Sequence, residues 1–159
     1  MPNPYASKSF LDYAMSQIMK SVNFSLMTFL ESQTETNYNK LIEELNNAQD
    51  AIVMADISNN LGGTSRTQYK LRYLIALDDG TVIADSSRAT NTFTNFRAKT
   101  INENHHSRPE MLMSLLSTSG VGYANRYSSS VNAKLLYLSN RIGIMAQDNV
   151  GTVRLSVVE

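Results

Sequence analysis

No glycine or proline occurs between residues 5 and 61, and this long run restricts what the N-terminal third of the chain can form. Because Gly and Pro mark most turns and helix ends, their absence favours long helix over hairpins. Apolar residues recur at spacings of three and four, in one stripe from Leu11 to Phe29 and in another from Tyr38 to Ala55. The two stripes differ in phase across the polar segment 31–37. The sequence therefore predicts two helices, or one long helix that is interrupted in that segment, ending at the Asn and Gly residues of 59–63.

After residue 63 the pattern changes to the alternation that is typical of strands. Residues 69–77 alternate, Asp78-Asp79-Gly80 predicts a hairpin turn, and residues 81–85 return as a second strand. The polar segment 86–107 predicts a long loop with room for one short helix. Pro109 then marks the start of a helix that ends at Gly120. Three further strands are expected at 121–129, 133–144 and 150–158. The predicted fold class is α+β, with long N-terminal helices packed on one five-stranded antiparallel sheet.

Composition excludes several classes of protein. The 14 basic and 14 acidic residues leave a net charge of zero, so there is no basic surplus to bind nucleic acid. The chain has no cysteine, and therefore no thiolate nucleophile, disulfide or Cys-containing zinc site. The first five residues lack the basic start of a signal peptide. The apolar segment 10–30 carries Asp12 and Lys20, whose charges disfavour a membrane span.

The sequence motifs that usually mark catalytic or metal sites are weak or absent in this chain. The pair His105-His106 lacks the His and Glu spacing of zinc enzymes, so we expect no metal site there. The hairpin turn accounts for Asp78 and Asp79 without an acid–base role. No phosphate loop, nucleophile motif or dinucleotide fingerprint is present. We therefore expect neither enzymatic activity nor a cofactor.

Several segments of the chain stand in the same order as in a known family. They are Leu77–Ser86, Ser107–Glu110, Gly120–Gly122, Arg126–Ser128, Leu136–Tyr137 and Gly151–Ser156. Together with the long N-terminal helix, they resemble the PAS-like Cache sensor domains found outside the membrane in bacterial histidine kinases and chemoreceptors. The resemblance implies a sheet whose concave face holds a small-molecule pocket, closed by the segment 87–119. It also implies signal transduction, and an extracytoplasmic location if the chain is a fragment of a membrane sensor. Otherwise the chain would be soluble or part of an assembly.

The implied pocket has several candidate ligand-binding residues. They are Arg97, His105, His106 and Arg108 in the closing segment, and Arg126 and Tyr137 on the sheet. Arg88 and Lys99 add to the positive charge of the same segment. Because a guanidinium group can donate two parallel hydrogen bonds to a carboxylate, the expected ligand is a small anion of the carboxylate class.

The N-terminal helix suggests a protein partner as well. The second apolar stripe can cover the sheet by itself, which leaves the first stripe without an obvious partner inside the domain. We expect that stripe to mediate a homo-oligomer or a larger assembly through Leu11, Met15, Ile18, Val22 and Phe29. Residues 1–33 would then be an association element, and residues 34–159 the PAS/Cache-like domain.

Two hypotheses remain open. The chain is either a non-enzymatic sensor domain for a small anion, or a structural protein that reuses the fold without a ligand. In a sensor, Arg108, Arg126 and Tyr137 should converge on a cavity of at least a few hundred Å³. In a structural protein, Leu and Met side chains from 111–116 should fill that space.

Overall fold

The computed structural model describes residues 4–59, 71–88, 90–129, 132–143 and 151–158. Its helices are α1 (Pro4–Glu31), α2 (Glu35–Asn59), α3 (Phe93–Ala98) and α4 (Pro109–Leu116), and its strands are β1 (Arg72–Leu77), β2 (Val82–Asp85), β3 (Val121–Ser128), β4 (Ala133–Ile142) and β5 (Gly151–Val158). The predicted α+β class is confirmed. The expected helix end at 60–63 and the expected strand residues at 69–70, 144 and 150 lie outside the described residues. Among the described helices, none is both long and apolar enough to cross a membrane.

The break between the two long helices falls where the stripes change phase. Helix α1 ends at Glu31, and the backbone N–H of Ser32 still bonds the carbonyl of Thr28 at 3.0 Å. The hydroxyl of Thr34 then accepts from the backbone N–H of Asn37 at 3.2 Å, as an N-cap does. This local capping starts α2 as a separate helix.

All five strands form one antiparallel sheet in the order β2-β1-β5-β4-β3. Strand β5 lies in the centre and pairs with β1 on one side and β4 on the other. The predicted hairpin joins β1 to β2, and Gly80 adopts a φ of 88° in its turn. Such a positive φ costs glycine little, which explains why glycine stands there.

The two long helices lie side by side on one face of the sheet. Helix α1 contacts β4 and β5. Helix α2 lies towards β1 and β2, where the hydroxyl of Tyr38 donates to the carbonyl of Ile83 at 2.8 Å. Helix α3 joins this layer through Phe96, whose ring lies 5.4 Å from that of Phe29. On β5, alternate residues such as Val153 and Leu155 face these helices and form the core.

The prediction that the first apolar stripe of α1 forms an association surface is wrong. Its five residues, Leu11, Met15, Ile18, Val22 and Phe29, are all buried in the core of the domain. Neighbouring strands lie about 4.8 Å apart and packed helices about 8–10 Å apart, so a five-stranded sheet is wide enough for two helices. The first stripe therefore has a partner within the chain, namely the β4–β5 half of the sheet.

Candidate functional site

The other face of the sheet carries helix α4 and a polar cavity of about 150 Å³. The cavity is lined by Arg72, Asp85, Arg88, Asn102, Glu103, His105, Arg108, Arg126, Tyr127, Ser128, Ser129, Tyr137 and Arg154. All five strands contribute, because side chains that alternate with the core residues point to this face. The segment between β2 and α4 supplies the rest of the lining, apart from Ser129 just after β3. The site is thus a basic cavity between the sheet and its closing segment.

Two arginines flank the ring of Tyr137. The guanidinium carbon of Arg126 lies 4.1 Å from the ring centroid, and that of Arg154 lies 4.8 Å from it. These distances are in the range of cation–π attraction, which orients both guanidinium groups. Strands β3, β4 and β5 supply the three residues, and the sheet order places β4 between the other two.

The same two arginines bind a buried carboxylate at the start of α4. Glu110 has no solvent exposure. Its Oε1 accepts from Nη2 of Arg126 at 2.6 Å and from Nη1 of Arg154 at 3.3 Å, and its Oε2 accepts from Nε of Arg126 at 3.2 Å. Burial alone would raise the pKa of Glu110, but these hydrogen bonds and charges outweigh it and lower the pKa. Glu110 is therefore an ionised internal partner for both arginines.

The cavity keeps a positive surplus after this pairing. Five arginines line it, against the carboxylates of Asp85 and Glu103 in the lining and Glu110 beside it. The Nε atoms of Arg72 and Arg154 are buried and have no hydrogen-bond partner in the described part of the chain. Arg154 is only 7% exposed, and burial lowers its pKa despite the charge of Glu110. Two arginines of the cavity lining thus each have one donor that lacks an acceptor among the described residues.

The carboxylates of the lining are engaged. Asp85 at the end of β2 accepts from the backbone N–H and hydroxyl of Ser87 at 2.9 and 2.7 Å, and from the side-chain amide of Asn102 at 2.6 Å. Glu103 is ion-paired with Arg108 at the rim. The contacts of Asp85 hold the closing segment to the sheet edge.

His105 contributes a ring nitrogen to the cavity wall. Its Nδ1 lies 2.7 Å from the carbonyl oxygen of Glu103. A carbonyl only accepts, so Nδ1 carries the proton in the neutral ring and Nε2 carries the lone pair. Burial, together with the charges of Arg154 and Arg108, lowers the pKa of His105, although the hydrogen bond to Glu103 works in the other direction.

Sequence reasoning identified part of this cavity. The structure brings Arg108, Arg126, Tyr137 and His105 together in its lining. The remaining two candidates do not line it. His106 is exposed beside His105, and the guanidinium of Arg97 lies 5.9 Å from the ring of Phe93 on α3.

Arg72, Arg154, Asp85 and Glu110 were missed as site residues. Arg154 did carry a signal. It stands between Val153 and Leu155 in an otherwise apolar strand, and a central strand of that kind buries both faces.

The cavity is smaller than the size expected for a sensor. Helix α4 fills part of the space, because Met111 and Leu115 are buried beneath it and Sδ of Met111 lies 3.6 Å from Oγ of Ser139. Arg108, Arg126 and Tyr137, which were expected to converge on a cavity, do converge, on one of about 150 Å³. Within the described ranges, no group of three His, Cys, Asp or Glu residues is placed to hold a metal ion.

The fold is similar to that of a protein of known structure. The structure matches the crystal structure of the sensor domain of the histidine kinase DctB from V. cholerae, with a TM-score of 0.56 and 18% sequence identity. The match covers 96% of this chain and 54% of that one, so the chain spans about half the length of the matched structure. The fold is that of a Cache-type sensor domain. The expected resemblance is thereby confirmed at the level of the Cache fold. No protein-family model and no curated protein matches the sequence.

Proposed function

We propose that this Cache-type domain binds a small anion of the carboxylate class in the basic cavity and serves as the ligand-sensing part of a signalling protein. One observation supports this most directly: Arg72 and Arg154 line the cavity, and the buried Nε donor of each has no acceptor among the described residues. An unpaired buried donor destabilises the empty domain by about 1–3 kcal/mol. A bound carboxylate would accept from such donors and would neutralise part of the positive surplus.

The volume of the cavity limits the size of the ligand. A space of about 150 Å³ is well below the roughly 300–1,000 Å³ of pockets for drug-sized ligands. It therefore favours short carboxylates with one or two negative charges over nucleotides. The proposed ligand is therefore a small organic acid.

The role we propose is non-enzymatic. The carboxylates of Asp85, Glu103 and Glu110 accept hydrogen bonds from neighbouring donors, which leaves them unsuited to act as general bases. The Cache resemblance further suggests that the domain works on the outer side of a membrane.

A thermal-shift screen followed by titration calorimetry tests the ligand proposal. The probes are short straight-chain mono- and dicarboxylates, amino acids and inorganic phosphate. We expect stabilisation by at least one carboxylate, weakened about ten-fold or more in Arg108→Gln and Arg126→Gln. Arg97→Gln is the matched control and should bind as the wild type does, because Arg97 does not line the cavity.

A flat response to every probe would overturn the ligand proposal. It would favour a structural protein that uses the Cache fold without a ligand, with Glu110 as the permanent partner of Arg126 and Arg154. Equal loss of binding in all three variants would also contradict it, because the effect would then not depend on the cavity.

We also propose that the chain self-associates through α1, on the face that the core does not use. Phe24 is 84% exposed on that face and offers an apolar contact to a second copy.

A further inference from the structure

The two arginines that flank Tyr137 are shared between the cavity and Glu110. Arg126 and Arg154 line the cavity, yet three of their donors bind the carboxylate of Glu110, at 2.6, 3.3 and 3.2 Å. The side chain of Arg126 is 24% exposed, whereas that of Glu110 is fully buried. An anion in the cavity therefore meets two cations that already bind another carboxylate.

The other arginines of the lining have neighbours of their own. Arg88 lies 4.0 Å from Asp85, and Arg108 is ion-paired with Glu103. Nη2 of Arg72 donates to a serine hydroxyl at 2.9 Å. Two guanidinium groups converge on one carboxylate only at the pair beside Tyr137, within the described part of this lining. A small carboxylate would gain most from that pair, because guanidinium–carboxylate hydrogen bonds are the strong ones.

The arginines and Glu110 differ in how they are held. The ring of Tyr137 attracts both guanidinium groups, and this attraction does not involve Glu110. Glu110 belongs to α4, which Arg141 fixes to the sheet at its other end. The arginines can thus keep their place when they change their anionic partner, while Glu110 stays buried. A buried carboxylate without a counter-charge has a pKa far above its ordinary range and takes up a proton.

We propose that Glu110 competes with the ligand: a carboxylate bound in the cavity takes over Arg126 and Arg154, and Glu110 then accepts one proton from the solvent. The inference rests on the anion binding proposed above, and it adds the regulation of that binding by pH. The proton bonds to a carboxylate oxygen of Glu110. The negative charge of the ligand thus replaces that of Glu110, and the net charge around the two arginines is unchanged.

Other groups around Glu110 have to be considered as the site of protonation. Arg126 on β3 and Arg154 on β5 lower the pKa of Glu110, and Tyr137 on β4 lies between them. His105 in the closing segment is a second proton acceptor close to Arg154, which helps to lower its pKa. Further charges act from the edge of the site, namely Asp85, Glu103 and Arg108. An experiment must therefore separate Glu110 from His105.

Titration calorimetry of the wild-type protein tests the exchange. The probes are propionate, which copies the side chain of Glu110, and malonate. Each is titrated from about pH 6.5 to 7.5, where carboxylic acids are ionised, in two cationic buffers of different ionisation enthalpy. We expect uptake of about one proton per bound anion and an affinity that falls about ten-fold for each rise of one pH unit.

Three variants assign the proton. Glu110→Gln should take up none, and it should bind both probes about ten-fold or more tightly than the wild type, because the competing charge is gone. His105→Asn and Glu103→Gln are the matched controls, since they change another titratable group of the same lining, and each should still take up one proton. If Glu110→Gln does not fold, proton uptake in the wild type and in His105→Asn decides the question.

The possible failures differ. No binding of either probe would overturn the exchange, and a flat response to the whole carboxylate panel would overturn the proposed function as well. Binding without proton uptake, or weaker binding in Glu110→Gln, would overturn only the exchange, and Glu110 would then position the arginines. Loss of the uptake in His105→Asn would assign the proton to His105 and overturn the exchange too.

Discussion

Glu110 holds a negative charge where no water reaches it, and its position depends on two strands that are distant in sequence. Arg126 on β3 and Arg154 on β5 donate to its carboxylate. Isolated buried charges are costly, but this one is compensated by two cations and three hydrogen bonds. The lowered pKa of Glu110 is the electrostatic sign of that compensation.

We predict that Glu110→Gln lowers the free energy of unfolding at pH 7 by about 3–5 kcal/mol, because it leaves two arginines without their counter-charge. The pKa of Glu110 is lower in the folded chain than its ordinary value of 4.5. The contribution of Glu110 to the free energy of unfolding is therefore fully present above about pH 4.5. It is lost as the pH falls through the pKa that Glu110 has in the folded chain. Urea denaturation should show the gap between wild type and variant closing on acidification. A gap that is independent of pH would contradict this account.

A second prediction concerns His105, whose folded pKa lies below its ordinary value of 6.5. The unfolded chain then takes up this proton at a higher pH than the folded chain does, so the domain loses stability as the pH falls through about 6.5 towards the lower pKa of the folded state. His105→Asn can keep a donor to the carbonyl of Glu103, and it should make the pH dependence of unfolding shallower. The exposed neighbour offers the control: His106→Asn should keep the wild-type slope. Identical slopes in both variants would refute the assignment to His105.

At the scale of elements, helix α4 is fixed to the sheet at both ends. Glu110 binds β3 and β5 at its start. At its end, Nη1 of Arg141 on β4 donates to the carbonyls of Ser114, Leu115 and Ser117 at 3.3, 3.2 and 3.0 Å. A cation at this end also suits the helix dipole. The helix beside the cavity is therefore held by three strands.

Gly122 sets how closely α4 approaches β3. A Cβ at this position would lie 2.1 Å from the carbonyl oxygen of Glu110 and 2.9 Å from the backbone nitrogen of Ser114. We predict that Gly122→Ala moves the helix, destabilises the domain by about 1–3 kcal/mol and weakens anion binding. Gly151→Ala is the comparison, because its nearest neighbour would be at 3.4 Å. Denaturant melts and calorimetry measure both effects, and equal losses in the two variants would contradict the steric argument.

The elements themselves could largely be predicted from the sequence. The Gly- and Pro-free run, the stripe periods and the turn at Gly80 predicted both long helices and the first hairpin. The partner of α1 could not be predicted, because an apolar stripe specifies that a face is buried and not what it is buried against. The site residues Arg126 and Tyr137 could be predicted from the Cache resemblance. Arg72 and Glu110 could not be predicted, because their placement depends on strand pairing and helix docking between residues that are distant in sequence.

On the scale of the whole molecule, the two faces of the sheet differ in what they contact. One face packs on α1 and α2 and supplies the apolar core. The other face carries the cavity, with Arg126, Tyr137 and Arg154. The apolar core and the lining of the cavity are thus formed by alternate residues of the same strands, because side chains alternate between faces.

This separation predicts distinct outcomes for core and surface substitutions. Leu155→Ala, in the central strand and fully buried on the core face, should cost about 2–5 kcal/mol in unfolding free energy. The exposed Leu116→Ala should change stability by less than about 0.5 kcal/mol. Where Leu155→Ala still folds, its affinity for a cavity ligand should stay near wild type. Affinity that falls in proportion to stability would contradict the division between the two faces.

The order of the strands has a consequence for biosynthesis. Strand β5 is the last of the five to leave the ribosome, yet it lies in the middle of the sheet. Until it emerges, β1–β2 and β3–β4 can exist only as separate hairpins, each with an open edge that could pair wrongly. The five-stranded sheet can therefore be completed only after β5 has emerged and has paired with β1 on one side and β4 on the other. Chaperone protection of those edges would matter most in the interval just before that pairing.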